Sequence, residues 1–591
     1  MKERFKILKA IGSGINRLRL IIINIVFFYL LILVFAAISS GAKTGEKHVV
    51  LNSDSVLLVQ PVGVIVENAD DHALPQQLMM QGEKITSVSD IVAAILAAAH
   101  DRHITSLVFD FSKSRMSLSS AYEIKAALDV FKQSGNPYYA FSTAYRLPSY
   151  FAASSAERVG LDVFGDADFS GLASEGMFFG GMHEKTGIQY FVSKAGTYKG
   201  AADTYTEKAF TKEVRENYES MFGDTWAYFV KACAENRGIS ESALLEYAES
   251  PLAILKKHNG KAATALQDLN VVTDVATFSD FLQSLSISES NLVSYKDFAT
   301  TLKHGHSRNT VCIINLDGAI TSNDLGFSGR NAAEDWRLVN KFEEACGDPS
   351  TRAIIVRVNS GGGEVFASEV IRRALEKSRK QYNIPVIVSM ADVAASGAYW
   401  ISSNADYIFA NPFTITGSIG VLSSLPNLKD ALQKYLGIST DLVYKGAKPL
   451  SVLEPPTATD MEIMQLQVSG IYDAFLQTVS TGRKMPKEAV AKLASGKVYS
   501  GNQALQLGLV DKLGTLQDAI SYAAGLCDLG NDYTVKTITE KKTFWEEFLL
   551  TVTKNGVTIS QMPLLKSFVE ISALARTNKF LLYEPLMFTV Y

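Results

Sequence analysis

The chain has 591 residues, a length that exceeds one compact core and predicts two or more domains. Its 47% hydrophobic and 20% charged residues are typical of a globular protein and exclude an intrinsically disordered chain. A formal net charge of −4 gives no reason to expect a nucleic-acid partner, and four scattered cysteines without CxxC spacing offer neither a metal site nor a disulfide framework.

The N-terminus predicts a membrane anchor. A basic segment, residues 1–19, precedes nineteen residues without a charge, 20–38. As a helix this run would be about 29 Å long, enough to cross a bilayer core. The basic flank predicts a cytoplasmic N-terminus and a body on the extracytoplasmic side of the inner membrane. A cleaved signal peptide is the alternative, although the apolar run is longer than the usual h-region of such peptides.

The remaining chain carries one pattern twice, at a separation of about 250 residues. "ITSLVFDFS" (104–112) matches "TRAIIVRVN" (351–359), and "TYKGAA" (197–202) matches "VYKGAK" (443–448). In each half, short β-branched runs alternate with helical patterns, which predicts parallel β-α-β units and an α/β fold.

These patterns divide the chain into six expected segments. They are a cytoplasmic basic segment at 1–19, an anchor at 20–38, an N-terminal half at 47–285, a polar linker at 286–309, a C-terminal half at 310–545 and a tail at 546–591.

The two halves differ in their candidate catalytic residues. In the second half, Gly361, Gly362 and Gly363 follow a predicted strand, whereas the first half has no glycine at that turn. Free N–H groups at such a turn suit a developing negative charge. Ser396, in "ADVAASGAYW", lies where the next strand meets a helix and is a candidate nucleophile. The second half therefore looks catalytic and the first looks degenerate.

A nucleophilic serine needs a base, and histidine does not supply one within the second half. All eight histidines lie at or before His306, and no HExxH pattern of a zincin occurs. A lysine base must be neutral, and lowering its pKa by about 3 units from near 10.4 costs about 4 kcal/mol, which burial can supply. Lys199 and Lys445 both occupy small or apolar surroundings at the same repeat position, and spacing does not choose between them.

Four motifs resemble the signal peptide peptidase A (protease IV) family in its long, duplicated form. They are "VRVNSGGGEVFASEVI", "VIVSMADVAASGAYWISSNADYIFANPFTITGSIGV", "GTYKGAAD" and "SGKVYSGNQALQLGLVDKLG". The resemblance spans the anchor and both halves, about 500 residues. It implies a tandem duplicated crotonase/ClpP-like α/β fold and a homotetramer at the membrane.

The same resemblance assigns roles to individual residues. It implies that Ser396 is the nucleophile, that Lys199 of the first half is the general base, and that Ser418 orients this lysine. It further implies that the N–H groups of Gly362 and Gly363 hold the oxyanion.

Three positions depart from the family pattern. Gly361 replaces the usual proline of N-S-P-G-G, and "ADT" at 202–204 replaces the V-E-P that follows the lysine. Lys445 remains as a second lysine, which we interpret as a relic of the duplication.

The sequence therefore predicts a membrane-anchored serine endopeptidase. By resemblance, its substrates are signal peptides left in the membrane after preprotein processing, and other apolar peptides; no cofactor, metal or nucleic acid is expected. Two alternatives stay open, an acyl-CoA enzyme of the crotonase type and an inactive membrane scaffold of the same fold.

Overall fold

The computed structural model describes residues 24, 28, 51–67, 84–302, 305, 307–322 and 332–539. All of them except residues 24 and 28 belong to one compact unit. Of the expected anchor, only Asn24 and Phe28 are described, and both are helical; the basic segment and the tail lie outside the described residues. Within the described ranges, no helix is both long and apolar enough to cross a membrane.

The described residues of the first half form ten strands, with helices between most of them. Its strands are β1 Ser55–Val59, β2 Gly63–Val66, β3 Ile85–Ser87, β4 Ile104–Asp110, β5 Ser114–Arg115, β6 Tyr138–Arg146, β7 Arg158–Asp168, β8 Gln189–Ala195, β9 Asp274–Val275 and β10 Leu292–Ser294. Its α-helices are Val88–Ala98, Leu118–Gln133, Leu147–Ala153, Gly180–Thr186, Asp203–Thr206, Lys212–Arg237, Glu241–Glu249, Pro251–Lys257, Ala262–Asp268, Phe278–Ser284 and Tyr295–Ala299.

The second half is built in the same way. Its strands are β11 Thr310–Asp317, β12 Ala319–Thr321, β13 Ala332–Glu334, β14 Thr351–Ser360, β15 Val386–Ala395, β16 Tyr407–Ala410, β17 Ile415–Gly417, β18 Val421–Asn427, β19 Val498–Ser500, β20 Lys512–Leu513 and β21 Thr534–Thr537. Its helices are Asp335–Gly347, Val365–Lys380, Gly397–Ser402, Lys429–Leu436, Ala458–Arg483, Lys487–Leu493, Gly501–Gln506 and Leu516–Leu526.

The central sheets of the two halves share one topology. The first sheet runs β10-β1-β4-β6-β7-β9, and the second contains the equivalent path β21-β11-β14-β15-β16-β20, with parallel pairing throughout both paths. This shared order confirms the internal repeat and the mixed α/β class predicted from the sequence.

The strands of the second half are buried because helices cover the sheet. β14 and β15 each have an apolar stretch, and only one residue of the two strands, Arg352, is exposed, which is typical of parallel strands covered on both faces. The helix Val365–Lys380 buries Ala367, Ile371 and Leu375, spaced four residues apart on one face. This packing fixes the positions of the carboxyl ends of β14 and β15.

The stretch 286–309, expected as a linker, is partly built into the first half. It contains β10, which forms the edge of the first sheet beside β1, and the helix Tyr295–Ala299, whose Tyr295 and Phe298 are buried. The stretch is polar overall, but it contains the apolar side chains of "NLVSYKDF", which pack into the first half. The first half therefore extends to these residues.

The halves are tied together by segments of the first half that lie on the second. β8 pairs antiparallel with β18 along all seven residues of each strand. In the helix Lys212–Arg237, the Asn217 amide donates to the Val498 carbonyl and accepts from the Val498 N–H, both at 2.8 Å. These contacts place the loop that carries Lys199, between β8 and this helix, against the second half.

A buried ion cluster also joins the halves. Nη2 of Arg357, on β14, lies 2.8 Å from Oε2 of Glu67 and 3.0 Å from Oε1 of Glu123, two carboxylates of the first half. Burial raises the pKa of Glu123, against the opposing charge of Arg357. Removing one member of a buried ion pair leaves the other charge buried without a partner, which costs about 3–5 kcal/mol of stability. This cluster therefore fixes the docking of the halves.

Candidate active site

Ser396 sits at a sharp strand-to-helix turn. It directly follows β15 and caps the helix Gly397–Ser402, with φ 55° and ψ −119°, a backbone conformation that residues with side chains rarely adopt. Two backbone hydrogen bonds hold it there: its N–H donates to the Gly417 carbonyl and its carbonyl accepts from the Trp400 N–H, both at 2.9 Å. The turn presents the hydroxyl at the end of the sheet, as expected for a nucleophile.

The glycine turn after β14 packs directly on this serine. Gly362 has φ 100°, and a Cβ there would lie 2.6 Å from the Gly397 nitrogen and 2.8 Å from Cβ of Ser396. A Cβ on Gly363 would lie 2.0 Å from the Ile320 carbonyl oxygen. Only glycine permits these approaches, which explains why the turn needs glycine at both positions.

The N–H groups beside Ser396 are not equally available. The Gly362 N–H donates to Oγ of Ser360 at 3.1 Å. Gly363 and Gly397 have N–H groups without an acceptor among the described residues, and a Cβ on Gly397 would lie 3.2 Å from the Gly363 nitrogen. The structure thus brings these two donors together at Ser396, one of which, Gly397, the sequence analysis missed. Its position directly after Ser396 was the available signal.

Lys199 reaches the serine from the other half of the chain. The residue is 8% exposed, and its Nζ lies 2.8 Å from Oγ of Ser396. The Nζ also donates to Oγ of Ser418 at 2.9 Å and to the Ser418 carbonyl oxygen at 3.2 Å. The residues that the sequence left 197 positions apart therefore form one hydrogen-bonded group.

Ser418 is held by its own strained turn. It follows β17 with φ 51°, and its N–H donates to the Lys497 carbonyl oxygen at 2.6 Å. Because its hydroxyl and carbonyl both contact Nζ of Lys199, Ser418 fixes two of the directions around that amine.

The departures from the family pattern leave this geometry intact. A Cβ at Gly361 would meet no atom within 4 Å, so this position makes no close approach to Ser396. Asp203, inside "ADT", is buried; its carboxylate accepts from Nζ of Lys194 at 3.4 Å and from Oγ1 of Thr211 at 3.3 Å. Lys445 is exposed and lies outside any helix or strand, whereas Lys199 occupies the place beside Ser396.

The helix after Ser396 is held in place from the side of the glycine turn. Nε1 of Trp400 donates to Oε2 of Glu369, on the helix that follows Gly363, at 2.9 Å. Burial opposes ionisation of Glu369, but hydrogen bonds from Arg372, Trp400 and Arg373 lower its pKa to about 2. This ionised carboxylate links the two helices whose N-termini flank the free N–H groups.

The assembled group can perform acyl transfer. It contains a hydroxyl, an amine within hydrogen-bonding distance of that hydroxyl, and two N–H groups that have no acceptor among the described residues. Acyl transfer needs groups of these kinds as nucleophile, base and donors to the carbonyl oxygen that gains charge. Among the described residues, no cluster of three or more His, Cys, Asp or Glu side chains could bind a metal ion.

Comparisons with known proteins agree with this chemistry. Residues 130–286 and 378–530 match the model of Peptidase family S49. Protease 4 of Haemophilus influenzae is 33% identical over 577 residues, 93% of this chain and 92% of its own length. Protease 4 of Salmonella typhi is 31% identical over 537 residues, 87% of this chain and 85% of its own length.

A shorter relative matches one part of the chain. It is an Enterococcus faecium protein whose name assigns it provisionally as signal peptide peptidase SppA. It is 35% identical over 226 residues, which cover 37% of this chain and 64% of that protein.

Proposed function

Because the chain belongs to peptidase family S49 and is a serine peptidase, we propose that it cleaves peptide bonds with a dyad of Ser396 and Lys199 built across its two halves. The observation that carries the proposal is the 2.8 Å distance between Nζ of Lys199 and Oγ of Ser396. The complete constellation of serine, lysine and free N–H groups disfavours the inactive scaffold, and an acyl-CoA enzyme would not need a nucleophilic serine.

Neutral Lys199 is the base in this mechanism. A neutral amine has two N–H groups and one lone pair; the N–H groups donate to the hydroxyl and carbonyl oxygens of Ser418, and the lone pair accepts the proton of Ser396. Oγ of Ser396 bonds to the substrate carbonyl carbon while Lys199 takes the proton and returns it to the leaving amine. Water then attacks the acyl-enzyme, with Lys199 again as base.

The oxyanion of each tetrahedral intermediate is placed at the N–H groups of Gly363 and Gly397. Both are free among the described residues, whereas the N–H of Gly362 is committed to Ser360. Gly362 contributes by its lack of a side chain, which lets the turn approach Ser396. One free donor of this kind is worth about 10²–10³-fold in kcat.

We place this site at a membrane, with signal peptides as its substrates. The charge-free run 20–38 behind a basic flank supports an anchor in the inner membrane with the catalytic body on its extracytoplasmic side. The provisional name of the Enterococcus faecium relative and the motif resemblance support the substrate class. The parallel, duplicated β-α-β halves support the crotonase/ClpP-like fold.

The substrate assignment predicts a preference that can be measured on the full-length protein in detergent micelles. A peptide carrying a signal-peptide h-region is expected to be cleaved with at least a tenfold higher kcat/KM than a peptide of equal length and charge whose h-region is replaced by Ser, Gly and Asn. Ser396→Ala serves as the background control. Equal kcat/KM for the two peptides would leave a peptidase whose substrates are not signal peptides.

The repeat also supports assembly of several copies, which the resemblance implies to be four. Within one chain, β8 of the first half pairs with β18 of the second. By the match of "TYKGAA" (197–202) with "VYKGAK" (443–448), β8 corresponds to residues 435–441; β18 corresponds to residues 172–178, and neither stretch forms a strand in the described chain. Ile438 and Met177, one in each stretch, are 46% and 70% exposed. Pairing of 435–441 with 172–178 of another copy would be head-to-tail and could close into a ring.

This assembly predicts a simple result for Ile438→Asp. The substitution is expected to convert the oligomer to smaller species, because a carboxylate cannot be buried at a sheet edge without a partner. Mass photometry of the detergent-solubilised protein measures the change. Leu526→Asp, at another exposed apolar position, is the matched control and is expected to keep the oligomer. An unchanged mass for Ile438→Asp would reject this interface.

A further inference from the structure

Two turns from different halves touch directly behind the lysine. One is 196–199, which carries Lys199, and the other is Ser495–Lys497, at the start of the fourth sequence motif. The Tyr198 N–H donates to the Ser495 carbonyl oxygen at 2.9 Å. A Cβ on Gly496 would lie 2.6 Å from the Lys199 nitrogen and 2.8 Å from its Cα. The backbone of Lys199 therefore rests on a position that has no side chain.

The second turn also holds the serine that orients the lysine. The Lys497 carbonyl oxygen accepts from the N–H of Ser418 at 2.6 Å, and the Gly496 N–H donates to the Ile419 carbonyl oxygen at 2.8 Å. One turn of three residues thus contacts the backbone of both Lys199 and Ser418. The side chains of these two residues are hydrogen-bonded to each other, Nζ to Oγ.

The conformation of this turn is itself well determined. Ser495 has φ 62° and Gly496 has φ 82°, so two successive residues lie in the left-handed region. The next residue but one, Val498, is clamped by both hydrogen bonds of the Asn217 amide. Nζ of Lys497 also lies 4.6 Å from the ring centroid of Tyr198, the neighbour of Lys199, an arrangement that attracts a cation to the ring face.

We propose that the Ser495–Lys497 turn sets the distance between Lys199 and Ser396, with Gly496 as a positioning residue for the general base. The inference rests on the proposed dyad. A methyl group on residue 496 would be roughly 0.8 Å too close to the Lys199 nitrogen for ordinary contact, and that atom is backbone, so the lysine loop must shift. Misplacing a catalytic group by about 1 Å can cost about 10²-fold in rate.

Gly496→Ala and Gly508→Ala form a matched pair of variants. Both glycines have positive φ, 82° and 72°, so alanine strains the backbone at either position. A Cβ on Gly508 meets no atom within 4 Å, whereas a Cβ on Gly496 meets Lys199. The pair therefore separates strain alone from displacement of the lysine.

The expected result is a fall in kcat of about 10²-fold for Gly496→Ala, with KM within about twofold of wild type and a Tm like that of Gly508→Ala. Gly508→Ala should keep kcat within about twofold. The acid limb of the kcat/KM profile of Gly496→Ala should also move to higher pH, because a displaced lysine is better hydrated and regains proton affinity. A loss of fold alone would not move that limb.

Lys199→Ala is assayed alongside, so that two failures can be told apart. If Lys199→Ala is inactive and Gly496→Ala matches Gly508→Ala in kcat and pH profile, the positioning role of Gly496 is wrong while the dyad stands. If Lys199→Ala cleaves normally, the proposed dyad itself fails.

Should Gly496→Ala not fold, Gly196→Ala tests the same contact from the other turn. Gly196 has φ 120°, and a Cβ there would lie 2.6 Å from the carbonyl carbon of Ser495. The same loss of kcat and the same shift of the acid limb are expected, and wild-type values for both would overturn the inference.

Discussion

Replacing Lys199 with alanine is expected to lower kcat/KM by about 10³-fold or more while leaving the Tm close to that of the wild type. The change removes the amine that lies 2.8 Å from Oγ of Ser396, so the serine attacks without this base. General-base catalysis alone contributes about 10²–10⁴-fold. Cleavage of a fluorogenic signal-peptide-like substrate, followed over a range of pH, measures the effect.

Lys445→Ala is the control for this experiment, since it removes the lysine that holds the same position in the other repeat. Lys445 is exposed and outside regular structure, so its loss should leave kcat/KM within about twofold of wild type. If Lys445→Ala is instead inactive and Lys199→Ala cleaves normally, the base comes from the second half and the dyad across the halves is wrong.

The choice between these two lysines shows where sequence reasoning stops. Both lie in a YKGA context at equivalent repeat positions, and their local sequences carry no signal that separates them. What separates them is tertiary: β8 pairs with β18, and the loop after β8 is thereby placed beside Ser396. Such a non-local pairing follows from how two halves dock, which neither periodicity nor spacing encodes.

Other features could be predicted from the sequence because they depend on local residues. The alternation of β-branched runs with helical patterns predicted the α/β class, and the repeat predicted two sheets of one topology. Ser396 could be predicted as a nucleophile because a strand, a serine and a glycine in succession are typical of a nucleophile at a strand-to-helix turn. The edge strand β10 was missed, since three residues in a polar stretch carry too little periodicity to be recognised.

In the turn after β14, hydrogen bonding shows which glycine N–H groups are available, a question that the spacing of the glycines does not answer. The three consecutive glycines look equivalent in the sequence, yet the structure gives each a different surrounding. A Cβ on Gly361 would meet no atom within 4 Å, and the Gly362 N–H donates to Ser360. The Gly363 N–H, beside that of Gly397, has no acceptor among the described residues. A donor's availability depends on the side chain of its neighbour, which only the folded turn reveals.

Ser396→Ala is expected to abolish peptide cleavage and covalent labelling by a fluorophosphonate, because the bond-forming oxygen is gone. Loss of a serine nucleophile typically costs about 10⁶-fold in kcat. Intact-mass measurement should find one adduct on the wild type and none on the variant. Ser424→Ala, an exposed serine of β18, is the control and should label like the wild type. An adduct on Ser396→Ala would place the nucleophile elsewhere.

A second substitution at the same position separates chemistry from backbone strain. Ser396 holds φ 55° and ψ −119°, which costs of order 1–3 kcal/mol for a residue with a side chain but little for glycine. Ser396→Gly should therefore be as inactive as Ser396→Ala and yet more stable than it by about 1 kcal/mol in urea unfolding. Equal stability of the two variants would mean that the turn is not strained. A stabilised, inactive Ser396→Gly would mean that the fold tolerates an unfavourable backbone at this residue because only that backbone presents the hydroxyl to Lys199.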